Sequence, residues 1–145
     1  MTTRLTQIIT DAGGKAIGDC WRTAVACLLD FDDPSDVPHF VAIDQARGDD
    51  KSTKWWTDTV DFVTQHIPDG LTFRLLTPTF PVYTEPNCAY EHVVATGPSP
   101  RGDWLHSVVV DARTGELVWD PHPSRAGLAG APVDVAAIAS VEAAA

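Results

Sequence analysis

The sequence has few basic residues for its length. Ten Lys and Arg stand against twenty Asp and Glu, which gives a formal net charge of −10 over 145 residues. Proteins that bind nucleic acid neutralise phosphates with a clustered basic surface. The composition therefore excludes nucleic acid as an expected partner. An acidic excess is typical of a solvated surface, and preference for a cationic substrate is the alternative reason for it.

Cysteines and long apolar runs are also scarce. Three Cys without CxxC spacing indicate neither a disulfide framework nor a zinc site, so we expect reduced thiols. No apolar run is long enough to cross a bilayer, and residues 1–14 lack the pattern of a signal peptide. We therefore expect a cytoplasmic protein with no membrane partner and no cofactor, whose oligomeric state is unknown.

The apolar content is high enough for one core. Hydrophobic residues make up 44% of the chain, which includes five Trp, so residues 1–145 are predicted to form a single domain. Apolar residues recur at helical spacing from Trp21 to Leu29, after Asp19 as a possible N-cap, and again from Ser52 to Ile67. The turn-rich stretch between these segments predicts a short helix or a covering loop.

The second half of the chain changes to a period typical of strands. Five apolar segments separated by Pro and Gly turns predict strands over Leu71–Leu76, His92–Thr96, Trp104–Val110, Glu116–Trp119 and Val133–Val141. Helices followed by an antiparallel sheet predict the α+β fold class. Asp111–Gly115 is expected to be a hairpin loop, with Gly115 able to take a positive φ.

A thiol stands at the predicted start of the first helix. Cys20 follows Gly18 and Asp19 and opens the apolar helical segment. The partial positive charge of a helix N-terminus and a nearby imidazolium both stabilise a thiolate, which is the nucleophilic form. The position therefore favours Cys20 as a nucleophile, although the neighbouring Asp19 carboxylate opposes a thiolate unless other groups engage it. Cys27, inside the apolar run, and Cys88, in a loop, are expected to be inert.

A base and a carboxylate follow at the ends of two predicted strands. The hairpin folds the strand that begins at His106 beside the strand that ends at Asp120, so the two side chains are expected to be hydrogen-bond neighbours. His92 also precedes an apolar strand and is the rival base. Asp111 is the rival carboxylate, but it lies at the far end of the His106 strand. Cys, His and Asp in this arrangement predict nucleophilic catalysis by a triad.

The segments Gly18-Asp19-Cys20-Trp21 and His106 to Val110, followed by Val118-Trp119-Asp120-Pro121, resemble the papain-like cysteine peptidase superfamily. The second pattern is similar to that of bacterial leader-peptide-processing peptidases and of short papain-like chains of bacteria and phages. The resemblance implies a papain-like fold, with Cys20 as nucleophile, His106 as general base and acid, and Asp120 orienting the imidazole. It implies hydrolysis of a peptide or small amide.

The chain departs from that family at the oxyanion hole. Papain-like enzymes carry a Gln about six residues before the Cys, where this chain has Gly14. Gln7, Lys15 or backbone N–H groups alone are the candidate donors, and we favour backbone groups. The residues expected to contact substrate flank the triad in sequence and are Gly18, Asp19, Trp21, Trp104 and His122.

Three other functions are weighed against hydrolysis. The same triad could transfer the acyl group to an amine, in the manner of a transglutaminase. A non-catalytic binding or inhibitor module would fit the missing Gln and the small size. A metal site made of Cys20, His106, Asp120 and His122 is disfavoured, because no pair among them has a recognisable ligand spacing. We therefore expect no metal.

Overall fold

The structure is a computed structural model, and it describes residues 2–10, 18–48, 53–82 and 88–141. Within these ranges the chain has three α-helices followed by five β-strands. The helices are α1 (Cys20–Leu28), α2 (Phe40–Ala46) and α3 (Lys54–Thr64), with a 3₁₀ turn at Pro34–Asp36 between the first two. The strands are β1 (Leu71–Leu76), β2 (His92–Pro98), β3 (Leu105–Asp111), β4 (Leu117–Trp119) and β5 (Asp134–Ser140).

The five strands form one antiparallel sheet in the order β1-β5-β2-β3-β4. The central pair is β2 and β3, in which Gly97 lies opposite His106 at one end and His92 lies opposite Asp111 at the other. We call the end that carries Gly97 and His106 the His106 end of the sheet. A tight hairpin joins β3 to β4, and Gly115 in its loop has a φ of +77°, which glycine adopts without steric cost.

Alternating side chains on the strands separate two buried clusters. Val94, Val109 and Ile138 face the helices and pack with the apolar side of α1. Val93 and Val108, one residue away, face the opposite side of the sheet and pack with Leu128 and other apolar residues. Both faces of the central strands are therefore covered, which explains why β3 and β5 are continuous apolar runs.

The α+β prediction is confirmed, and the five predicted strands are present within one to two residues of the expected bounds. The expected helix from Ser52 to Ile67 is shorter, since α3 spans Lys54–Thr64; Ser52 lies outside the described residues. The turn-rich stretch contains helix α2, which settles the choice between helix and loop. In the part of the chain that the structure describes, no helix has the length and apolarity to span a membrane.

Candidate active site

Cys20 is the first residue of α1 and is partly exposed. The remainder of this nine-residue helix is largely buried, because Val25 and Leu28 pack against the sheet. The first N–H groups of a helix have no partner within the helix and carry partial positive charge. The sulfur of Cys20 therefore stands at the electropositive end of a helix that is anchored in the core.

His106 and Asp120 form a buried pair at the His106 end of the sheet. The Nε2 atom of His106 donates to Oδ1 of Asp120 at 2.7 Å, and the two residues are only 2% and 1% exposed. The hairpin between β3 and β4 produces this contact, since it returns the chain to the end of the sheet where His106 lies, at the second residue of β3. The predicted proximity of the two side chains is confirmed by this hydrogen bond.

The Cys20 thiol is close enough to His106 to influence the imidazole, so the site extends from the helix to the sheet. Because Nε2 of His106 faces Asp120, the ring nitrogen left for the sulfur is Nδ1. Burial lowers the pKa of His106, but the hydrogen bonds to Asp120 and Cys20 outweigh burial and raise the pKa from 6.5 to about 9. The imidazole is therefore protonated at neutral pH, which places a cation beside the thiol.

The Asp120 carboxylate is held by three donors. In addition to His106, Oδ1 accepts from the backbone N–H of His122 at 2.9 Å, and Oδ2 accepts from that of Gly127 at 2.7 Å. Burial raises the pKa of Asp120, but these hydrogen bonds outweigh burial and lower the pKa below its ordinary value. The carboxylate is thus a fixed anion, and its orientation is set by the loop after β4.

Asp19 has a different role from the two that the sequence suggested. It occupies the N-cap position of α1, but its side chain makes no capping hydrogen bond. Instead the carboxylate accepts from the backbone N–H groups of Ile8 and Ile9 and from Nε of Arg22 at 2.9 Å. The carboxylate is completely buried and its charge is paired with Arg22, so its described partners are protein groups, and its contact with substrate stays a prediction. It fastens the N-terminal segment to the start of α1.

Residues 2–10 run from the C-terminal end of α1 to the loop after β4, and we call them the N-terminal strap. The N–H of Thr3 donates to Cys27, and the N–H of Gln7 donates to the carbonyl of Pro121. The carbonyl of Ile9 accepts from the side-chain Nε2 of Gln7 at 2.7 Å and from the N–H of Asp19 at 3.1 Å. The strap therefore contacts both the Cys20 side and the Asp120 side of the site.

Gln7 is the one oxyanion candidate side chain that the structure describes, since Lys15 lies outside the described residues. It is 5% exposed, and its Oε1 is buried without a hydrogen-bond partner in the described part of the chain. The amide nitrogen bonds Ile9, which also bonds Asp19, so the Gln7 amide lies beside the start of α1. Its distance along the chain from Cys20 gave no indication of this position.

Arg125 fixes the loop that carries Asp120. Its Nη1 atom donates to the carbonyls of Asp120, Pro121 and His122, and its Nη2 atom donates to Oγ1 of Thr6 at 2.7 Å. The guanidinium also lies 4.0 Å from the centre of the Trp119 ring, a favourable cation–π distance. No sequence signal marked this residue, because its partners are backbone carbonyls brought together only by folding.

Of the other residues that were predicted to contact substrate, one lies in the core and three are partly exposed. Trp21 is 7% exposed and packs among Trp55, Trp56 and Phe73, so it belongs to the core, and its contact with substrate stays a prediction. Its apolar bulk and the absence of space around it make it part of the core. The predicted contacts that remain partly exposed are Gly18, Trp104 and His122.

His122 and Trp104 flank His106. The His122 ring lies edge-on to that of His106, with 6.2 Å between ring centres, and its Nδ1 atom is within 2.9 Å of Oγ of Ser124. Trp104 comes two residues before His106, and its ring packs tightly over Gly102, where a Cβ atom would collide with it. The His122 ring is therefore the one of these two side chains that is shown beside the imidazole.

The rival residues lie elsewhere. His92 is at the opposite end of β2 from Gly97, hydrogen-bonded to Oγ1 of Thr2, and borders a cavity of about 410 Å³ remote from His106. The Asp111 carboxylate is exposed and accepts from N–H groups of its own hairpin loop. Cys27 and Cys88 are buried, and burial raises the pKa of both thiols.

The described residues contain no group of three or more His, Cys, Asp or Glu side chains arranged to hold a metal ion. What the site contains is an imidazolium that is hydrogen-bonded to a buried carboxylate and lies close to the thiol at the start of α1. Comparisons with protein-family models, with curated proteins and with solved structures found no match.

Proposed function

We propose that this protein is a cysteine-dependent hydrolase of peptide or amide bonds, with a papain-like arrangement of Cys20, His106 and Asp120. The observation that carries the proposal is the placement of His106 between the thiol and a buried carboxylate. An imidazole oriented by a carboxylate and bonded to a thiol at a helix N-terminus favours the thiolate–imidazolium pair. That pair is reactive at neutral pH.

In the first half of the reaction, the Cys20 sulfur attacks the carbonyl carbon and forms a C–S bond. As the C–N bond breaks, the imidazolium of His106 gives its proton to the leaving amine. A thioester remains on Cys20, and His106 is now neutral. Asp120 keeps the ring oriented and stabilises the charged form, without itself taking a proton.

In the second half, neutral His106 removes a proton from water, and the resulting hydroxide attacks the thioester carbonyl. The C–S bond breaks and the carboxylic acid leaves, which restores the thiolate and the imidazolium. The negative oxygen of each tetrahedral intermediate needs hydrogen-bond donors. Backbone N–H groups of the first turn of α1 supply them, and the Gln7 amide beside this turn is the side chain best placed to add another.

Alkylation of the thiol across pH tests the proposal directly. The starting protein is Cys27→Ala/Cys88→Ala, in which Cys20 is the single thiol and the two removed side chains lie in the core. We expect iodoacetamide to label Cys20 between pH 5 and 7 at least tenfold faster than it labels a free thiol, because thiols are mostly protonated in that range. Intact-mass spectrometry measures the rate.

His106→Ala should reduce the labelling rate to that of a free thiol, whereas Asp111→Asn, a carboxylate change at the far end of β3, should leave it unchanged. Equal rates for the starting protein and His106→Ala, with both folded, would refute the dyad. Release of a chromogenic amine from acylated amino acid amides then tests turnover, with Cys20→Ala as the inactive control.

A further inference from the structure

One row of polar side chains crosses the helix-facing side of the sheet at the His106 end. Thr96 on β2 lies opposite both Asp134 on β5 and Ser107 on β3. The side-chain hydroxyls of Thr96 and Ser107 are 2.8 Å apart. Ser107 follows His106 directly in β3, and the two side chains leave the strand on opposite faces. The row therefore runs across the helix-facing side from Ser107, one residue after His106, to the Asp134 carboxylate two strands away.

The row lies on the same face as α1. On β5, every second residue faces the same side of the sheet, so Asp134 lies on the same face as Ala136 and Ile138, which belong to the cluster that packs against the helices. Helix α1 contacts β2 and β3, and the thiol of its first residue, Cys20, is close to His106. The Cys20 sulfur therefore lies at the end of the sheet where this row is, above the same face.

The helix-facing side of the sheet is incompletely covered by the helices near Asp134 and Leu75. Leu75 on β1 faces the helices, next to Ala136 of β5, yet it is 49% exposed. Asp134 and Thr96 are partly exposed as well. In the described part of the chain, this side of the sheet near Asp134 is therefore partly open to solvent, with the polar side chains of Asp134 and Thr96 beside the apolar side chain of Leu75.

Asp134 has no ion pair or hydrogen bond to its side chain among the described residues. Burial alone raises the pKa of this carboxylate, with no donor to offset the cost. It differs in this respect from Asp19 and Asp120, which are more deeply buried and are each bonded by three donors. A carboxylate in this situation gains most from a cation that arrives with a ligand.

We propose that Asp134 determines substrate specificity by binding the cationic side chain of a peptide or amide substrate whose carbonyl is attacked by Cys20. The inference rests on the proposed function and names its substrate class: amides with a primary ammonium or guanidinium group. Two strand spacings separate Asp134 from Ser107, which is about 10 Å. A lysine or arginine side chain spans most of that distance, and the chain's acidic composition favours the approach of such a substrate.

Two chloroacetamides test the inference without requiring turnover. One carries a 5-aminopentyl arm and the other an n-hexyl arm, so they match in length and differ in one ammonium group. On Cys27→Ala/Cys88→Ala protein we expect the cationic reagent to label Cys20 roughly tenfold faster, the ratio typical of one charge-assisted hydrogen bond. In Asp134→Asn the two rates should become equal.

Asp69→Asn is the matched control, because it removes one negative charge from an exposed turn beside the opposite end of β1. It should keep the tenfold ratio. An unchanged ratio in Asp134→Asn would overturn the inference, as would equal labelling of the parent protein by both reagents. In either case fast labelling by iodoacetamide would leave the hydrolase proposal standing, whereas slow labelling of Cys20 by every reagent would refute that proposal itself.

A lysine and norleucine substrate pair extends the test to catalysis. In a set of acylated peptide amides, lysine is placed at one position in each peptide, and a matching peptide carries norleucine there. At one of these positions the lysine peptide should be hydrolysed with a kcat/KM roughly tenfold above that of its norleucine counterpart. Asp134→Asn should lose this preference and retain kcat/KM on the norleucine peptides. Loss of both activities in a folded variant would contradict a role confined to specificity.

Discussion

Replacing Asp120 by Asn should remove most of the pH dependence that His106 gives to the stability of the fold. In the native protein the pKa of His106 rises from its ordinary 6.5 to about 9. At 1.36 kcal/mol for each pH unit, that difference corresponds to about 3 kcal/mol. The imidazole is 2% exposed, so solvent screening does not greatly reduce this figure.

The sign follows from which state holds the proton more tightly. Because the folded protein has the higher pKa, the stabilisation is fully present below pH 6.5 and is lost as the pH rises through 9. The Asp120 carboxylate, whose pKa is lowered by the same contact, contributes above its unfolded value and loses its contribution as the pH falls through the folded one. Both statements describe the same His106–Asp120 interaction, so its free energy is counted only once.

Urea denaturation at pH 6, 8 and 10, followed by Trp fluorescence, measures the effect. Between pH 6 and 10 the free energy of unfolding should fall further in the native protein than in Asp120→Asn, by the larger share of these about 3 kcal/mol, because Cys20 also raises the pKa of His106. Other thiols, Tyr and Lys titrate in both proteins and cancel in this comparison. Asp111→Asn, which alters an exposed carboxylate of the same hairpin, should behave as the native protein does.

Proton NMR of the His106 ring gives an independent reading. Its midpoint should lie near 9 in the native protein and well below that in Asp120→Asn. A midpoint near 6.5 in the native protein, or an equal pH dependence of stability in both proteins, would refute the reasoning that the buried carboxylate holds the imidazole charged.

Three further changes test the elements around the triad. Gln7→Ala should reduce kcat by a factor of roughly 10²–10³, the usual cost of one oxyanion donor, and leave Cys20 alkylation unchanged; unaltered kcat would assign the oxyanion to backbone donors alone. Gly127→Ala should lower the free energy of unfolding by about 1–2 kcal/mol, because residue 127 has a φ of +74°. It should also lower the NMR midpoint of His106, because the backbone N–H of residue 127, which bonds the Asp120 carboxylate, is displaced. Arg125→Lys should lower the urea midpoint, because lysine has neither the second terminal nitrogen that bonds Thr6 nor the planar group that lies over Trp119. An unchanged midpoint would show that the loop is held without the guanidinium.

The sequence contains enough information to predict the sheet and the order of the site residues. Strand patterns are local: apolar runs bounded by Pro and Gly mark β1 to β5, and the short hairpin loop makes the His106–Asp120 contact a geometric consequence. The position of Cys20 at the start of α1 is equally local. These features depend on periodicity and turn chemistry within a few residues, which one sequence displays.

Contacts between distant segments could not be predicted in this way. Trp21 was expected beside a substrate and Asp19 at a cap or cleft, but both are buried through partners from other parts of the chain: Thr59 for the indole and the N-terminal strap for the carboxylate. Asp134 gave no signal either. Its place near the site depends on β5 lying between β1 and β2, an order that strand patterns do not specify.

The N-terminal strap is what connects the two halves of the candidate site through backbone hydrogen bonds. Cys20 belongs to a helix, whereas His106 and Asp120 belong to a hairpin, and one imidazole joins them. The strap adds bonds on both sides, from Ile8 and Ile9 to Asp19 and from Gln7 to Pro121. A shift of the strap by one residue would therefore break its hydrogen bonds to Asp19, at the start of α1, and to Pro121, in the loop that carries Asp120. The start of α1 and the loop that carries Asp120 are accordingly linked by a segment that contains none of the triad residues.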